Sequence, residues 1–348
     1  MKVIHLFFLK GENNMKFEEY FIIANTREQF ENESEISLRP YSDHPSQQSI
    51  NFVVEELKKV GFKTKFFGGV ENLIEACHQN VSFPHTLFLN FSDGLSQASR
   101  KAQSAILLEL LNVPYAGSDP LARLIAGNKA YAKKIVSPCL EVPQSLTVFN
   151  CSTPLTSIQF PVIIKPNREG SSLGISQESI CSNSEELRER LPNLITRFHE
   201  VLVEEYIPGY EITCFVIGNK GHYYFTEPIV CEYNGIRYFD NFVFGLEEKA
   251  NRKRIEYLAQ NILTSQQITA IRTAAQTAFE MLNMHDFARV DFRLQENGKL
   301  FFVEINGNAV ISETSEIGII SHELGIPFGE IVGSIIHAAT ERIILNHG

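Results

Sequence analysis

Short apolar runs alternate with segments of helical periodicity along this chain. "VIHLFFL" near the start reads as a strand, and "SQQSINFVVEELKKVGFKTKFFG" places apolar residues at helical spacing before passing through Gly61 into a second strand. "HTLFLNF" is a third strand, and "SQASRKAQSAILLELLNVPYAGS" reads as a helix closing at a Pro and Gly turn. Residues 16–45 are polar and poorly periodic, so no element is assigned there. After Ser118 one helix is expected through "PLARLIAGNKAYAKKIV". "SLTVF", "FPVIIKP", "GISQ", "VLVEEYI" and "EITCFVIG" then read as short strands, with "NSEELRERLPNLI" a helix among them. In residues 222–265, "YYFTEPIVCEYNGIRYFDNFVF" gives a strand or two and "GLEEKANRKRIEY" a mobile polar loop. The chain ends with a helix in "TSQQITAIRTAAQTAFEML", paired strands in "FARVDFRL" and "KLFFVEI", and a helix in "PFGEIVGSIIHAATERI". This alternation predicts an α/β or α+β fold.

At 348 residues the chain is long enough for two or three cores. Its 44% hydrophobic and 21% charged residues are ordinary for a globular protein. A formal net charge of -10 argues against nucleic acid as a partner, because that affinity comes from many Lys and Arg contacts to phosphates. The six cysteines are scattered without a CxxC, which argues against thiolate metal sites and a disulfide framework. There is no apolar run of about 20 residues, and no small-residue cleavage site follows the first apolar run. A reduced, cytoplasmic protein without a membrane partner is the expectation.

Three stretches could carry chemistry. In "IIKPNREGSSLGIS" an apolar strand delivers Lys165 into a loop with Arg168, Gly170, Ser171, Ser172 and Gly174. Glycines let backbone N–H groups approach an anion, and a Lys ending an apolar strand is costly to bury without a negative partner. A phosphate-gripping flap and a plain hairpin with a polar turn both fit this stretch. In "RVDFRLQENGKLFFVEING", Glu304 and Asn306 share a strand face, and the hairpin turn "ENGK" can bring Asp291 beside them. Two carboxylates and an amide oxygen suit Mg²⁺, and a cation would relieve their repulsion. A solvated sheet edge is the alternative, but the apolar "LFFV" before Glu304 favours the metal. In "VLVEEYIPGYEI" an apolar wall with Glu204, Glu205, Tyr206, Ile207 and Glu211 would suit a nucleoside, although any strand and turn could look alike.

In this order the three stretches resemble the ATP-grasp enzymes, and among them the D-alanine–D-alanine ligase family. "NVPYAGSDPLA…NK" resembles that family's link between its first two domains. The resemblance covers roughly residues 104–340 and includes "ARVDFRL", "VEIN" and "HELGIPFGEIV". It implies an ATP-grasp fold with an N-terminal α/β substrate domain at 1–118, a central lid domain at 119–217 and a C-terminal metal and substrate domain at 218–348. Lys129 and Lys165 would contact ATP phosphates, with Ser171 lying over them. Glu204, Tyr206 and Ile207 would form the adenine pocket, with Glu211 at the ribose. Asp291, Glu304 and Asn306 would hold two Mg²⁺ ions, with Mn²⁺ as the alternative. Arg289 would stabilise the transferred phosphoryl group, and Ser315 would face the second substrate's carboxylate. The implied activity is ADP-forming ligation of an amino-acid amine to a phosphate-activated acceptor, in an enzyme that commonly dimerises.

The chain departs from the family where substrates bind. "LKGENN", with Glu12 as the stand-in for an ammonium-holding Glu, replaces a Gly-Gly turn. "NFSDGLSQASRKAQ" replaces a His-Gly and Gly-Glu-Asp-Gly loop, "YFDNFVFGLEEKANRKR" lacks the usual Lys-Tyr pair, and Asn308-Ala309-Val310 stands for Pro-Gly-Met. These changes raise a second reading, a specialised-metabolism ligase that joins an amino acid to a mycosporine-type ring through a phosphorylated enol. A third is a non-catalytic ATP-binding regulator.

Overall fold

Three sheets organise the described residues. The computed structural model describes 17–30, 44–95, 98–155, 158–245, 248 and 254–347. The strand expected in "VIHLFFL", together with Glu12, lies outside them, as does most of the charged run between 246 and 253.

The first sheet is parallel, in the order β2-β1-β3-β4, from β1 (Glu19–Ile23), β2 (Thr64–Gly68), β3 (Thr86–Asn90) and β4 (Tyr115–Ala116). Its central strand β1 comes from the stretch to which the sequence assigned nothing. Five residues opening on a Glu give too little periodicity to read, and pairing on both sides is what forms the strand. Parallel strands need crossovers, supplied by α1 (Gln47–Lys59), α2 (Val70–Gln79) and α3 (Gln103–Leu110). Ile50, Val53, Val54 and Leu57 make the buried stripe of α1, and Ser46 caps it by accepting from the Ser49 N–H. The sequence reading missed α2, and the helix expected around α3 is shorter, with a 3₁₀ turn at Arg100–Ala102 before it.

The helix expected after Ser118 is two helices, α4 (Pro120–Ala126) and α5 (Lys129–Val136). The break falls at Gly127–Asn128, where the Asn128 side chain accepts from the Tyr131 N–H at 3.0 Å and starts a new helix.

A small antiparallel sheet runs β5-β8-β6-β7, from β5 (Ser145–Val148), β6 (Val162–Pro166), β7 (Ile180–Cys181) and β8 (Val201–Glu205). α6 (Ser184–Phe198) covers it through Leu187 and Leu191. "GISQ" is not a strand. Ser171, Ser172 and Gly174 all have positive φ, so the chain there curls instead of pairing.

The largest sheet runs β12-β10-β9-β13-β14, with β11 on β9: β9 (Gly209–Asn219), β10 (His222–Tyr233), β11 (Tyr238–Phe239), β12 (Arg254–Leu258), β13 (Asp286–Leu294) and β14 (Leu300–Asn306). β9 belongs to it whole, so the division expected between 217 and 218 falls inside a strand. α7 (Ser265–Met281) buries one face against Ile212, Cys214, Val216 and Val290. The opposite face changes character along its length. Phe215, Ile217 and Phe287 join the core of the first sheet together with α9 (Phe328–His347). Farther along the same strands, the polar residues described next face the small sheet.

No single helix among the described residues is long and apolar enough to cross a membrane. The bent pair formed by α8 (Glu316–Leu324) and α9 passes on length and composition alone, and its Ile317, Ile331, Val332 and Ile335 are buried in the core.

Candidate active site

A cavity of about 130 Å³ lies between the small sheet and the polar end of the large one. Lys129, Lys165, Glu204, Tyr206, Ile207, Glu211, Asp291 and Glu304 line it. A neighbouring cavity of about 60 Å³ shares Lys129 and Glu304 and adds Ser171, Arg289 and Asn306. Of the described residues to which the resemblance gives a role at ATP, the metal or the substrates, all but Ser315 line one or the other.

Strand geometry does most of this. Arg289, Asp291 and Arg293 alternate along one face of β13. Register pairs Asp291 with Glu304 and with Thr213, Arg289 with Asn306, and Arg293 with Glu211. A bulge opposite Asp291/Phe292 gives β14 one extra residue, so both Val303 and Glu304 reach the cavity while Phe302 stays in the core.

Lys165 finds its negative partner within the protein. Glu204 on the adjacent strand pairs with it and stands 3.2 Å from Lys133, all three side chains being almost wholly buried. The Glu204 side chain thus faces the lysines, and Tyr206, Ile207 and Glu205 supply the rest of that wall. Burial disfavours the Glu204 charge, but the two lysines outweigh it and hold its pKa below the usual carboxylate range. Burial lowers the Lys133 ammonium to about 8, against the pull of Glu204. Lys133 also donates to the Val303 carbonyl.

Arg289 is the hub of the other wall. It forks onto Asp291 through Nε at 3.0 Å and Nη2 at 2.9 Å, and reaches Glu316 at 3.3 Å. Burial opposes its charge, but Asp291 and Glu316 raise its pKa further still. Asp291 is pushed up by burial and by the Glu304 charge despite Arg289. Glu304 meets Lys129 at 3.1 Å.

Among the described residues no three His, Cys, Asp or Glu side chains converge as a metal site, so a cation would rest on Asp291, Glu304 and the Asn306 amide. The donors are the hard oxygens that Mg²⁺ takes.

The flap after β6 is tied at several points. Lys129 donates to the Glu169 carbonyl, Arg168 pairs with Glu200, and Arg100 from the first sheet's side stands 3.7 Å from Glu169. Across the larger cavity, the Tyr206 hydroxyl donates to the Phe242 carbonyl and accepts the Phe242 N–H, each at 2.9 Å, fixing the segment that brings Val243 and Phe244 to the wall. Ser315 precedes α8, and its hydroxyl is engaged with the Ser312 N–H and carbonyl.

Sequence reasoning missed Lys133, Arg293 and Glu316. Lys133 lies four residues after Lys129 on α5, one turn along the same face, and that spacing was the available signal. Arg293 continues the alternation of Arg289 and Asp291, pairs with Glu211 at 3.0 Å and lies over the Tyr206 ring. Nothing in sequence marks Glu316, whose partner lies 27 residues away.

Residues 147–337 match a family model described as D-ala D-ala ligase C-terminus. The D-alanine–D-alanine ligase of Thermotoga petrophila is 29% identical over 88% of this chain and 93% of its own. That of Aquifex aeolicus is 30% identical over 66% of this chain and 75% of its own. The crystal structure of the D-alanine–D-alanine ligase from Bacillus anthracis complexed with ATP superposes with a TM-score of 0.71, at 20% identity, over 95% of this chain and all of that one, which shows a shared fold.

Proposed function

The chain belongs to the D-alanine–D-alanine ligase family and is an ATP-dependent, ADP-forming carbon–nitrogen ligase acting on small molecules; we propose how its own residues carry that reaction. The observation that carries the reading is the convergence of Lys129, Lys165, Asp291 and Glu304 on one cavity beside Arg289. ATP lies between the small and large sheets, with Tyr206, Ile207 and Glu211 at the nucleoside and Lys129 and Lys165 at the phosphates. Glu204 acts through Lys165, fixing its ammonium.

A substrate carboxylate oxygen attacks the γ-phosphorus, the bond to the ADP oxygen breaks, and an acyl phosphate forms. An amine then attacks the acyl carbon, phosphate leaves with the bridging oxygen, and the amine gives up a proton. Arg289 neutralises charge developing on the transferred group, held ready by Asp291 and Glu316. Asp291, Glu304 and Asn306 would hold Mg²⁺, which supplies charge neutralisation at the phosphates. Ser171 and the flap exclude water from the acyl phosphate. The small sheet acts as the lid, and a homodimer is proposed on resemblance alone. The relatives carry the name D-alanine–D-alanine ligase, and the phosphorylated-enol reading has no support from them.

ADP release with D-alanine alone, and then with a panel of amino acids, tests this. Asp291→Asn should lower turnover about 100-fold or more, as loss of a transition-state electrostatic contact does. Unchanged turnover would remove Asp291 from the catalytic machinery, and no ADP release by wild type would return the chain to a non-catalytic ATP binder.

A further inference from the structure

The segment 305–311 is surrounded by more hydrogen-bonding capacity than the described residues use. Lys101 lines the 60 Å³ cavity beside Arg289, and also a smaller one of about 10 Å³, room for a single water. Arg123 and Asn308 line the smaller cavity and are 2% and 6% exposed. Arg123 donates Nε to the Lys101 carbonyl at 2.5 Å and Nη2 to the Ser92 carbonyl, and its Nη1 has no partner among the described residues. Asn308 donates Nδ2 to Asp93 at 3.2 Å, and its Oδ1 likewise has no partner. The Lys101 ammonium stands 3.7 Å from Asp93, outside hydrogen-bond range. Gly127 makes the place for it, since a Cβ there would come within 3.1 Å of the Lys101 Cδ. Asp93 faces both Lys101 and Arg123 and is not hydrogen-bonded to the ammonium, so an ammonium at the cavity wall, backed by a buried guanidinium with a spare donor, retains the capacity to receive a second anion. The phosphates have Lys129 and Lys165, and the transferred phosphoryl group has Arg289.

We propose that Lys101, supported from behind by Arg123 and Asn308, is a specificity residue holding a substrate carboxylate other than the one that is phosphorylated. This rests on the ligase reading above. The carboxylate has two possible sources, the α-carboxylate of the attacking amino acid or a side-chain carboxylate of the activated one.

Steady-state ADP release separates them, using wild type, Lys101→Met, Lys101→Gln and Lys101→Arg with alanine, alaninamide, aspartate and glutamate in both enantiomers. Loss of the ammonium should raise KM about 10–100-fold, more than it lowers kcat, and Lys101→Arg should recover most of that. If the attacker's α-carboxylate is the ligand, alaninamide as the second substrate is poor for wild type and no poorer for Lys101→Met. If a side-chain carboxylate is the ligand, wild type prefers aspartate or glutamate and Lys101→Met loses that preference. A KM within twofold of wild type for every substrate, in whichever of Lys101→Met and Lys101→Gln keeps the wild-type melting temperature, overturns this inference and leaves the ligase reading standing. No ADP release by wild type with any amino acid overturns both.

Discussion

Lys133 shows how a residue outside the quoted motifs, one turn beyond Lys129, can govern the site. Its ammonium shares Glu204 with Lys165, so removing it leaves Glu204 with one partner and a less fixed Lys165. Lys133→Met should raise KM for ATP by about tenfold, the worth of one charge-assisted hydrogen bond, while Lys133→Arg should do less. Its pH dependence has a definite sign. Burial lowers the folded pKa from 10.5 to about 8, so between those values the unfolded chain binds more protons than the folded one. Wild-type stability relative to Lys133→Met should therefore be lowest below pH 8 and rise from there towards 10.5. Thermal melts of both proteins across that range check it; parallel curves would mean Lys133 titrates normally. Glu204, whose pKa is also lowered, has the same sign in a more acidic range. Its depressed pKa contributes stability above the ordinary Glu range, and that stability fades on acidification.

Among the elements, the junction of β6 and α5 depends on one side chain. Asn167 at the end of β6 accepts the Lys129 N–H on its carbonyl at 3.1 Å and the Ala130 N–H on Oδ1 at 2.9 Å. Its Nδ2 donates to Asn128 at 2.9 Å and to Glu200 at 2.6 Å. The flap root is thus also the cap of the helix carrying Lys129 and Lys133. Asn167→Ala should cost about 1–3 kcal/mol, because buried donors lose their acceptor. It should also weaken ATP binding, read as a lower urea midpoint and a raised KM for ATP. Stability loss without a change in KM would show that the cap does not reach the site. This junction also marks the limit of what the sequence revealed. Alternation in "RVDFRL" and "FFVEIN" placed Arg289, Asp291, Glu304 and Asn306 because a strand assigns faces every second residue. The cost of burying Lys165 showed that it needed a negative partner, but not which one. Asn167, Lys133 and Glu316 meet partners from other elements, and no local period encodes such meetings. β1 was invisible for the same reason, being too short to carry a pattern of its own.

Across the whole molecule, the cleft works only if three sheets hold their positions. The first is fixed to the largest through Phe91 against Phe287, rings 5.6 Å apart, and through α9. The small sheet meets the first sheet's side of the cleft at a lighter contact, Arg100 with Glu169 at 3.7 Å, whose side chains are 9% and 26% exposed. A partly solvated pair at that distance is worth about 1 kcal/mol or less, too little to hold the fold but enough to shift a flap between open and closed by up to about fivefold. Its loss should therefore be felt as leakage more than as instability. Water would reach the acyl phosphate whenever the flap opened early, so ATP would be consumed without amide formation. Glu169→Gln should keep the wild-type melting temperature within a degree or two, the scale of so small a term in a chain this size. It should also raise the ratio of ADP released to ligated product by about two- to fivefold. Measuring both products in one reaction decides the matter. A ratio equal to wild type would show that Arg100 and Glu169 merely lie near one another, and that closure depends on the Lys129 and Arg168 contacts at the flap's root.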